Sequence, residues 1–219
     1  MTRTAPGVAA VVTALLLGVT GCGNDAGASV GSVQNQPAAK SSAAPAQKAP
    51  KSALAGLLVL PRGYVADPRG GTGSFTASTF LANWSAVPAV DRALLLNAGF
   101  VDGYRATRVS QDNKRRFTLQ LFKAATPAKA RVLQQGFWGQ DTHERSFGVP
   151  NALSDAKVQY DGGTGQSEAV AEASFVVNNL VVELSVRQSG ALGTNPVPDT
   201  ALLTAVAKQQ RARLTATSS

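Results

Sequence analysis

Apolar and polar residues alternate in two neighbouring segments in the middle of the chain. Tyr104–Val109 and Arg116–Lys123 are separated by Ser110–Asn113, a polar sequence typical of a turn, so together they predict a β-hairpin. In the second strand the apolar positions share one face, whereas Thr118 and Gln120 share the other. The hairpin is therefore expected to bury one face of its sheet and leave the other face polar.

A second pair of alternating segments lies in the last third of the chain. Ala169–Val177 and Leu180–Arg187 flank Asn178-Asn179 and predict another hairpin. Each hairpin is followed by a predicted helix. The repeated order predicts a duplicated α+β domain, in which two hairpin-then-helix repeats form an antiparallel sheet with helices packed on one face.

The two predicted helices have recognisable starts. Thr126 precedes a proline and begins a helix that runs to about Gln135, and Asp199 caps the closing helix. Two further helices are predicted upstream, at Thr76–Trp84 and at Pro88–Asn97 with Gly99 placed to end it.

The folded part opens with a short apolar run, Leu57–Leu60, which Pro61 ends. This run suits either a short strand or a buried start of the domain.

The N-terminus carries the clearest signal in the chain. Arg3 precedes the apolar stretch Val8–Val19, which is too short to span a membrane and is followed by small residues, as in a secretory signal peptide. Leu17–Cys22 resembles the lipobox of bacterial lipoproteins, which implies that residues 1–21 are removed and that Cys22 becomes a lipidated N-terminus. The alternative is a secreted protein with a chance cysteine at the cleavage site.

Composition divides the remainder into a linker and one domain. Residues 22–53 are mostly small and polar, without aromatic residues, and predict a flexible tether behind the lipidated cysteine. Residues 54–219 form the predicted envelope domain. Cys22 is the only cysteine, so the domain has no internal disulfide and no thiolate site. The formal net charge of +8 suits an anionic envelope and requires no specific ligand.

Several segments resemble a group of uncharacterised actinobacterial lipoproteins. The resemblance rests on Leu95–Tyr104, which matches a Leu-x-x-x-Gly-Phe-x-x-Gly-Tyr pattern, together with Leu60–Tyr64, Phe175–Val186 and Gln209–Leu214. These are packing motifs, and the group supplies no activity or catalytic residues to carry over. Ala106-Thr107 stands where an aromatic residue often follows the arginine in that group.

Catalytic and metal-binding patterns are sparse. His143 is the only histidine, and Asp141 and Glu144 beside it could supply acid, base and orienting groups. A solvated polar loop explains the same residues, and no nucleophile elbow or second histidine supports a triad. The sequence therefore predicts no enzyme, no cofactor and no metal site.

Basic residues are concentrated around the first hairpin. They predict a patch for an anionic envelope polymer, a lipid headgroup or an acidic protein, with nucleic acid excluded outside the cell. The alternative is a solvated hairpin whose charges protect a sheet edge. The residues of this predicted patch are Arg105, Arg108, Lys114, Arg115, Arg116 and Lys123.

Trp138 and His143 mark the other candidate region. Trp138 stands at the start of Gly139–Ser167, the longest stretch without clear periodicity. Such a stretch suits either a pocket loop or a segment that the aromatic side chain pins to the core.

These features predict a lipid-anchored protein on the extracytoplasmic face of the cell membrane, held there by the lipid on Cys22. The interpretation that they favour is a non-catalytic binding or interaction module of the envelope. A hydrolase of envelope glycan or lipid, and a scaffold that docks another envelope protein, are the alternatives.

Overall fold

The computed structural model describes residues 52–161, 165–191 and 193–217. The predicted signal peptide, Cys22 and nearly all of the linker lie outside the described residues. Within the described ranges no helix combines the length and apolarity needed to cross a bilayer. After a 3-10 helix at Ala53–Leu57 the elements are β1 Tyr64–Ala66, β2 Gly73–Phe75, α1 Ala77–Asn83, α2 Pro88–Ala98, β3 Asp102–Ser110, β4 Arg115–Lys123, α3 Pro127–Trp138, β5 Leu153–Asp161, β6 Gln166–Val177, β7 Leu180–Gly190 and α4 Thr200–Ala216.

The described strands form one antiparallel sheet in the order β1-β3-β4-β7-β6-β5, with β2 also paired to β3. Both predicted hairpins are present, as β3–β4 and β6–β7. They join through β4 and β7, where Phe117 pairs with Val186 and Lys123 with Leu180. The two repeats therefore share one continuous sheet.

The predicted α+β class is confirmed, with helices packed on an antiparallel sheet. The helix of the first repeat, α3, packs on one face of the sheet. The helix of the second repeat, α4, packs on the opposite face. Val182 on β7 packs in a core with Leu203 of α4, whereas its neighbour Val181 packs in a second core with Leu133 of α3. We call these the α4 face and the α3 face. Apolar side chains on both sides of β7 pack against these two helices.

The core on the α4 face contains one buried polar residue that joins distant segments. Gln210 of α4 is fully buried; its amide nitrogen donates to the Leu57 carbonyl (2.9 Å) and its side-chain oxygen accepts from the Val59 amide (2.7 Å). Leu57–Leu60 is therefore a partly buried start of the domain, packed against this core, and not the short strand that was the other expectation. The Leu57 carbonyl and the Val59 amide form their hydrogen bonds with one side chain instead of with a neighbouring strand.

Aromatic side chains dominate the core on the α3 face. Phe122 of β4 makes edge contacts with Phe75 and Phe80, and Phe137 of α3 packs on it with ring centroids 5.0 Å apart. The Phe75 ring lies where a Cβ of Gly103 would stand, so β3 requires glycine at this position. This core fixes α1, α2 and α3 over one half of the sheet face.

The helix starts predicted from the sequence are confirmed. The Thr126 side chain accepts from the Lys129 amide at the start of α3, and the Asp199 side chain accepts from the Leu202 amide at the start of α4. Gly99 ends α2 in the left-handed conformation, with φ of 57°. Such caps each stabilise a helix by about 1 kcal/mol.

The prediction of an irregular stretch at Gly139–Ser167 is wrong in its second half. Leu153–Asp161 forms β5, an edge strand paired with β6. Asp155 and Lys157 are buried on this strand, so charged residues occupy positions where a strand pattern calls for apolar ones. Before β5, the described part of this stretch is the loop between α3 and that strand.

Candidate functional site

Polar side chains cross the sheet in two adjacent rows on the α3 face. The strand registers place Arg105, Gln120, Glu183 and Ser174 next to one another across β3, β4, β7 and β6. The second row runs across the same strands and on to β5, through Thr107, Thr118, Ser185, Glu172 and Asp155. The part of this face that the helices leave uncovered is therefore polar, as alternation in the first hairpin predicted.

A cavity of about 300 Å³ lies where these rows meet the helices. We call it the polar cleft. Thr118, Gln120, Glu183 and Ser185 form its floor. Its walls come from the helices and from neighbouring strand positions, and include Phe80, Trp84, Val87, Asp91, Phe122, Phe137, Gln140, Asp141, Glu172 and Arg187. The cleft thus combines an aromatic wall with a hydrogen-bonding floor, the usual composition of a small-molecule site.

Glu183 is the most perturbed acid of the cleft. Burial raises the pKa of its carboxyl to about 8, against a hydrogen bond from the Ser174 hydroxyl (2.7 Å) that lowers it. Burial therefore favours the protonated form of this carboxyl, which both donates and accepts hydrogen bonds.

Two donors on the same row have no hydrogen-bond partner among the described residues, the Gln120 side-chain amide nitrogen and Arg105 Nε. Arg105 lies over the Trp84 ring, 5.0 Å from its centroid. Burial, together with the charges of Arg116 and Arg187, lowers the pKa of Arg105 to about 10. Unpaired buried donors are costly in a folded protein and are common where a ligand completes the hydrogen bonds.

The basic residues predicted to form one patch are dispersed. Arg116 pairs with Asp67 at 2.9 Å and Arg115 with Asp199 at 3.1 Å, so both charges are compensated. The guanidinium of Arg105 lies against Trp84.

The remaining members of that group also lie apart. Arg108 donates to the Thr107 carbonyl at 2.9 Å, and Lys114 is exposed in the hairpin turn. Lys123 stands at the opposite end of the hairpin, where it pairs in register with Asp102. The six side chains therefore do not share one surface.

Trp138 and His143, the residues that mark the second candidate region, are in contact. Their rings stack with centroids 4.1 Å apart, and His143 Nε2 lies 2.8 Å from the Trp138 carbonyl oxygen. The neighbouring acids that looked like catalytic partners point elsewhere. Asp141 pairs with Lys157 at 3.5 Å, and Glu144 is exposed and contributes only its backbone amide, which donates to Asp155.

Sequence reasoning missed the acids that do face the histidine, and it missed Glu183. Asp155 and Glu172 come from β5 and β6, and β5 was not recognised. The available signal was the set of polar residues at inward positions of strands, of which Thr118 and Gln120 were noted.

Comparison with solved structures finds distant likenesses, among them the following two. The extracellular domain of PknH from Mycobacterium tuberculosis matches with 14% sequence identity and a TM-score of 0.44, over 74% of this chain and 94% of that chain. An uncharacterised protein from Mycobacterium smegmatis matches with 15% identity and a TM-score of 0.25, over 70% of this chain and 79% of that chain. No protein-family model and no curated protein matches the chain. The resemblance to actinobacterial lipoproteins stays a prediction.

Proposed function

We propose that this chain is a lipid-anchored, extracytoplasmic binding module that holds a small, uncharged, hydroxyl-rich ligand, such as a sugar unit, in the polar cleft. One observation carries the proposal. Beneath the aromatic wall, the floor brings together the Gln120 amide nitrogen, which has no hydrogen-bond partner among the residues that the structure describes, and the buried carboxyl of Glu183, whose pKa burial raises.

The chemistry of the cleft favours an uncharged ligand over an ion. Arg187, the arginine that lines the cleft, already pairs with Glu168 at 2.8 Å, and Asp91 accepts hydrogen bonds from Ser85 (2.6 Å) and Gln140 (2.7 Å). Asp141 and Glu172, the other acids that line the cleft, face Lys157 at 3.5 Å and 3.4 Å. The groups left without a charged partner are hydroxyls, the Gln120 amide and the Glu183 carboxyl. Hydroxyl groups pair with such donors and acceptors, while the apolar face of a sugar ring packs on an aromatic side chain.

The anchor part of the proposal rests on the sequence around Cys22. A diacylglyceryl group supplies two acyl chains, which is enough to hold a protein on a bilayer. Replacing Cys22 by Ala is expected to abolish the lipid-derived mass increment and to release the exported chain from the membrane fraction. An unmodified Cys22 in the natural exported protein would overturn this part and leave the cleft proposal intact.

The cleft can be tested by tryptophan fluorescence, because the chain has two tryptophans and Trp84 lines the cleft. Trp138→Phe leaves Trp84 as the single reporter and keeps an aromatic ring over His143. Titration with N-acetylglucosamine, galactose and arabinose is expected to change the Trp84 emission with at least one of them, in a saturable way.

Gln120→Ala in that background is expected to weaken binding at least tenfold, because it removes the amide from the floor. Gln135→Ala, the same change at an exposed position of α3, is the matched control and is expected to bind normally. Saturable binding that Gln120→Ala leaves unchanged would contradict the assignment of the site. Binding of acetate or phosphate in place of the sugars would contradict the assignment of ligand class.

A further inference from the structure

Three metal-ligating side chains from separate segments converge near the C-terminal end of α3. His143 Nδ1 lies 3.8 Å from Asp155 Oδ2 and 3.9 Å from Glu172 Oε1, and the three atoms all lie within 4.8 Å of one another. The register of β5 and β6 sets Asp155 beside Glu172. We propose that these three residues, the His143 cluster, bind a divalent transition metal ion of the zinc type. Glu172 also lines the polar cleft, so the ion would stand at the edge of that cleft.

The tautomer of His143 suits a metal ligand. Its Nε2 lies 2.8 Å from the Trp138 carbonyl oxygen, which can only accept, so Nε2 carries the hydrogen. Nδ1 of the neutral ring then presents a lone pair to the two carboxylates. Histidines that bind metals commonly donate their second N–H to a carbonyl in this way, which fixes the ring. The stacked Trp138 ring restrains it further.

A buried carboxylate oxygen of Asp155 also indicates a bound cation. Its side chain is 0% exposed, and its Oδ1 accepts hydrogen bonds from the backbone amides of Glu144 and Arg145, each at 2.8 Å. Its Oδ2 has no hydrogen-bond partner in the part of the chain that the structure describes, and it points towards His143. A buried carboxylate oxygen without a partner is costly, and a cation is the partner that this geometry lacks.

The distances from His143 Nδ1 to the two carboxylates favour a bound metal ion over a shared proton. Distances of 3.8 and 3.9 Å are too long for a hydrogen bond between Nδ1 and either carboxylate. Two ligands of a tetrahedral zinc ion, each about 2.1 Å from the metal, stand roughly 3.4 Å apart. The two separations from His143 would contract by a few tenths of an ångström to reach this geometry, and the two carboxylates, within 4.8 Å of each other, would close to the same separation, with water as the fourth ligand. Nitrogen and carboxylate ligands are the donor types that zinc accepts.

The local charge also calls for a divalent cation. Asp155, Glu172 and Asp141 carry three negative charges between them. Lys157 Nζ, 3.4 Å from Glu172 and 3.5 Å from Asp141, carries one positive charge. Three carboxylates thus share one ammonium group at close range, which leaves room for a cation to balance their charge.

The test uses zinc as the probe and the full chain with Cys22→Ser, purified without a histidine tag, so that no thiol or added histidine competes. Calorimetric titration is expected to give one zinc ion per chain. Because His143 is the only histidine in the sequence, the ¹⁵N NMR spectrum of its ring is a direct report on the site. Zinc is expected to shift the Nδ1 resonance and to leave Nε2 protonated.

Two variants remove ligands. His143→Phe keeps a ring against Trp138 but removes Nδ1, and Glu172→Gln keeps the shape of the side chain but removes its charge. Each is expected to weaken zinc binding at least tenfold. Glu144→Gln, an exposed acid one residue from His143, is the matched control and is expected to bind zinc as the parent does.

Absence of stoichiometric zinc binding by the parent would overturn the proposal. So would binding that both ligand variants retain, or an Nδ1 resonance that zinc does not move. Circular dichroism of each variant shows whether a loss of binding comes from a folded chain. If a variant does not fold, the NMR titration of the parent decides alone.

Discussion

The guanidinium of Arg116 donates a 2.9 Å hydrogen bond to the carboxylate of Asp67, whose side chain is 1% exposed. Arg116 lies on β4, whereas Asp67 lies in the loop after β1, so the pair fastens the start of the domain to the centre of the sheet. Asp67 Oδ1 also accepts from the Arg69 amide at 2.9 Å. A residue that the sequence assigned to a surface patch therefore has a structural partner.

Arg116→Ala is expected to destabilise the domain by about 1–3 kcal/mol, because it leaves a buried carboxylate without its cation. Arg115→Ala removes a similar pair whose acid, Asp199, is 21% exposed, and is expected to cost less than about 1 kcal/mol. Urea unfolding of both variants measures the difference. Equal losses would show that the burial of Asp67 does not matter.

The ion pair between Arg116 and Asp67 also determines how the stability of the domain changes at acidic pH. Burial alone would raise the pKa of Asp67, but the Arg69 amide and the charge of Arg116 outweigh it and lower the pKa overall. The stabilisation is therefore present above the unfolded-state pKa of 3.8 and is lost as the pH falls through the lower folded-state value. Arg116→Ala is expected to flatten this acid limb of the stability curve.

Local signals in the sequence were enough to predict the helices and both hairpins. Thr126, Asp199 and Gly99 mark helix ends through side-chain and backbone geometry that depends on a few neighbouring residues. Strand β5 was missed because Asp155 and Lys157 take its buried positions, and their partners come from other elements.

The polar cleft was predictable in part. The alternation around Thr118 and Gln120 indicated a polar sheet face, but Glu183 joins that face only through the pairing of β4 with β7. Register between strands that are distant in the sequence is set by the packing of the whole sheet, so no local pattern contains it. The same reason explains why the acids that face His143 were not identified.

Gln210 provides a test of how the domain start is held. Gln210→Ala leaves the Leu57 carbonyl and the Val59 amide without their side-chain partner and opens a cavity in the core. We expect a loss of about 2–4 kcal/mol in the free energy of unfolding. Gln209→Ala, the same change at the exposed neighbouring position, is expected to change it by less than about 0.5 kcal/mol.

Chemical denaturation measures both variants, and hydrogen exchange of the Val59 amide locates the effect. Faster exchange at Val59 in Gln210→Ala alone is the expected pattern. Unchanged protection would mean that the Leu57–Leu60 segment is held by apolar packing and not by the glutamine.

Glu183 predicts a second pH effect, of opposite sign to that of Asp67. Its folded-state pKa of about 8 lies above the ordinary value of 4.5, because burial disfavours the charged form. Below pH 4.5 Glu183 is protonated in both the folded and the unfolded chain, so it does not lower the free energy of unfolding. Between pH 4.5 and pH 8 Glu183 ionises only in the unfolded chain, so the stability of the domain falls as the pH rises. Above pH 8 Glu183 is ionised in both states and the stability stops falling.

Glu183→Gln removes this loss while keeping a neutral hydrogen-bonding side chain beside Ser174. The variant is expected to gain stability relative to the natural chain between pH 5 and pH 8, by a few kcal/mol at most. Urea unfolding at pH 5, 6.5 and 8 measures the gap between the two curves. A gap that widens with pH follows from a carboxyl kept protonated by burial, whereas a constant gap would mean that Glu183 ionises like an ordinary surface acid. In the second case the floor of the polar cleft would carry a negative charge at neutral pH and would favour a cationic ligand over a sugar.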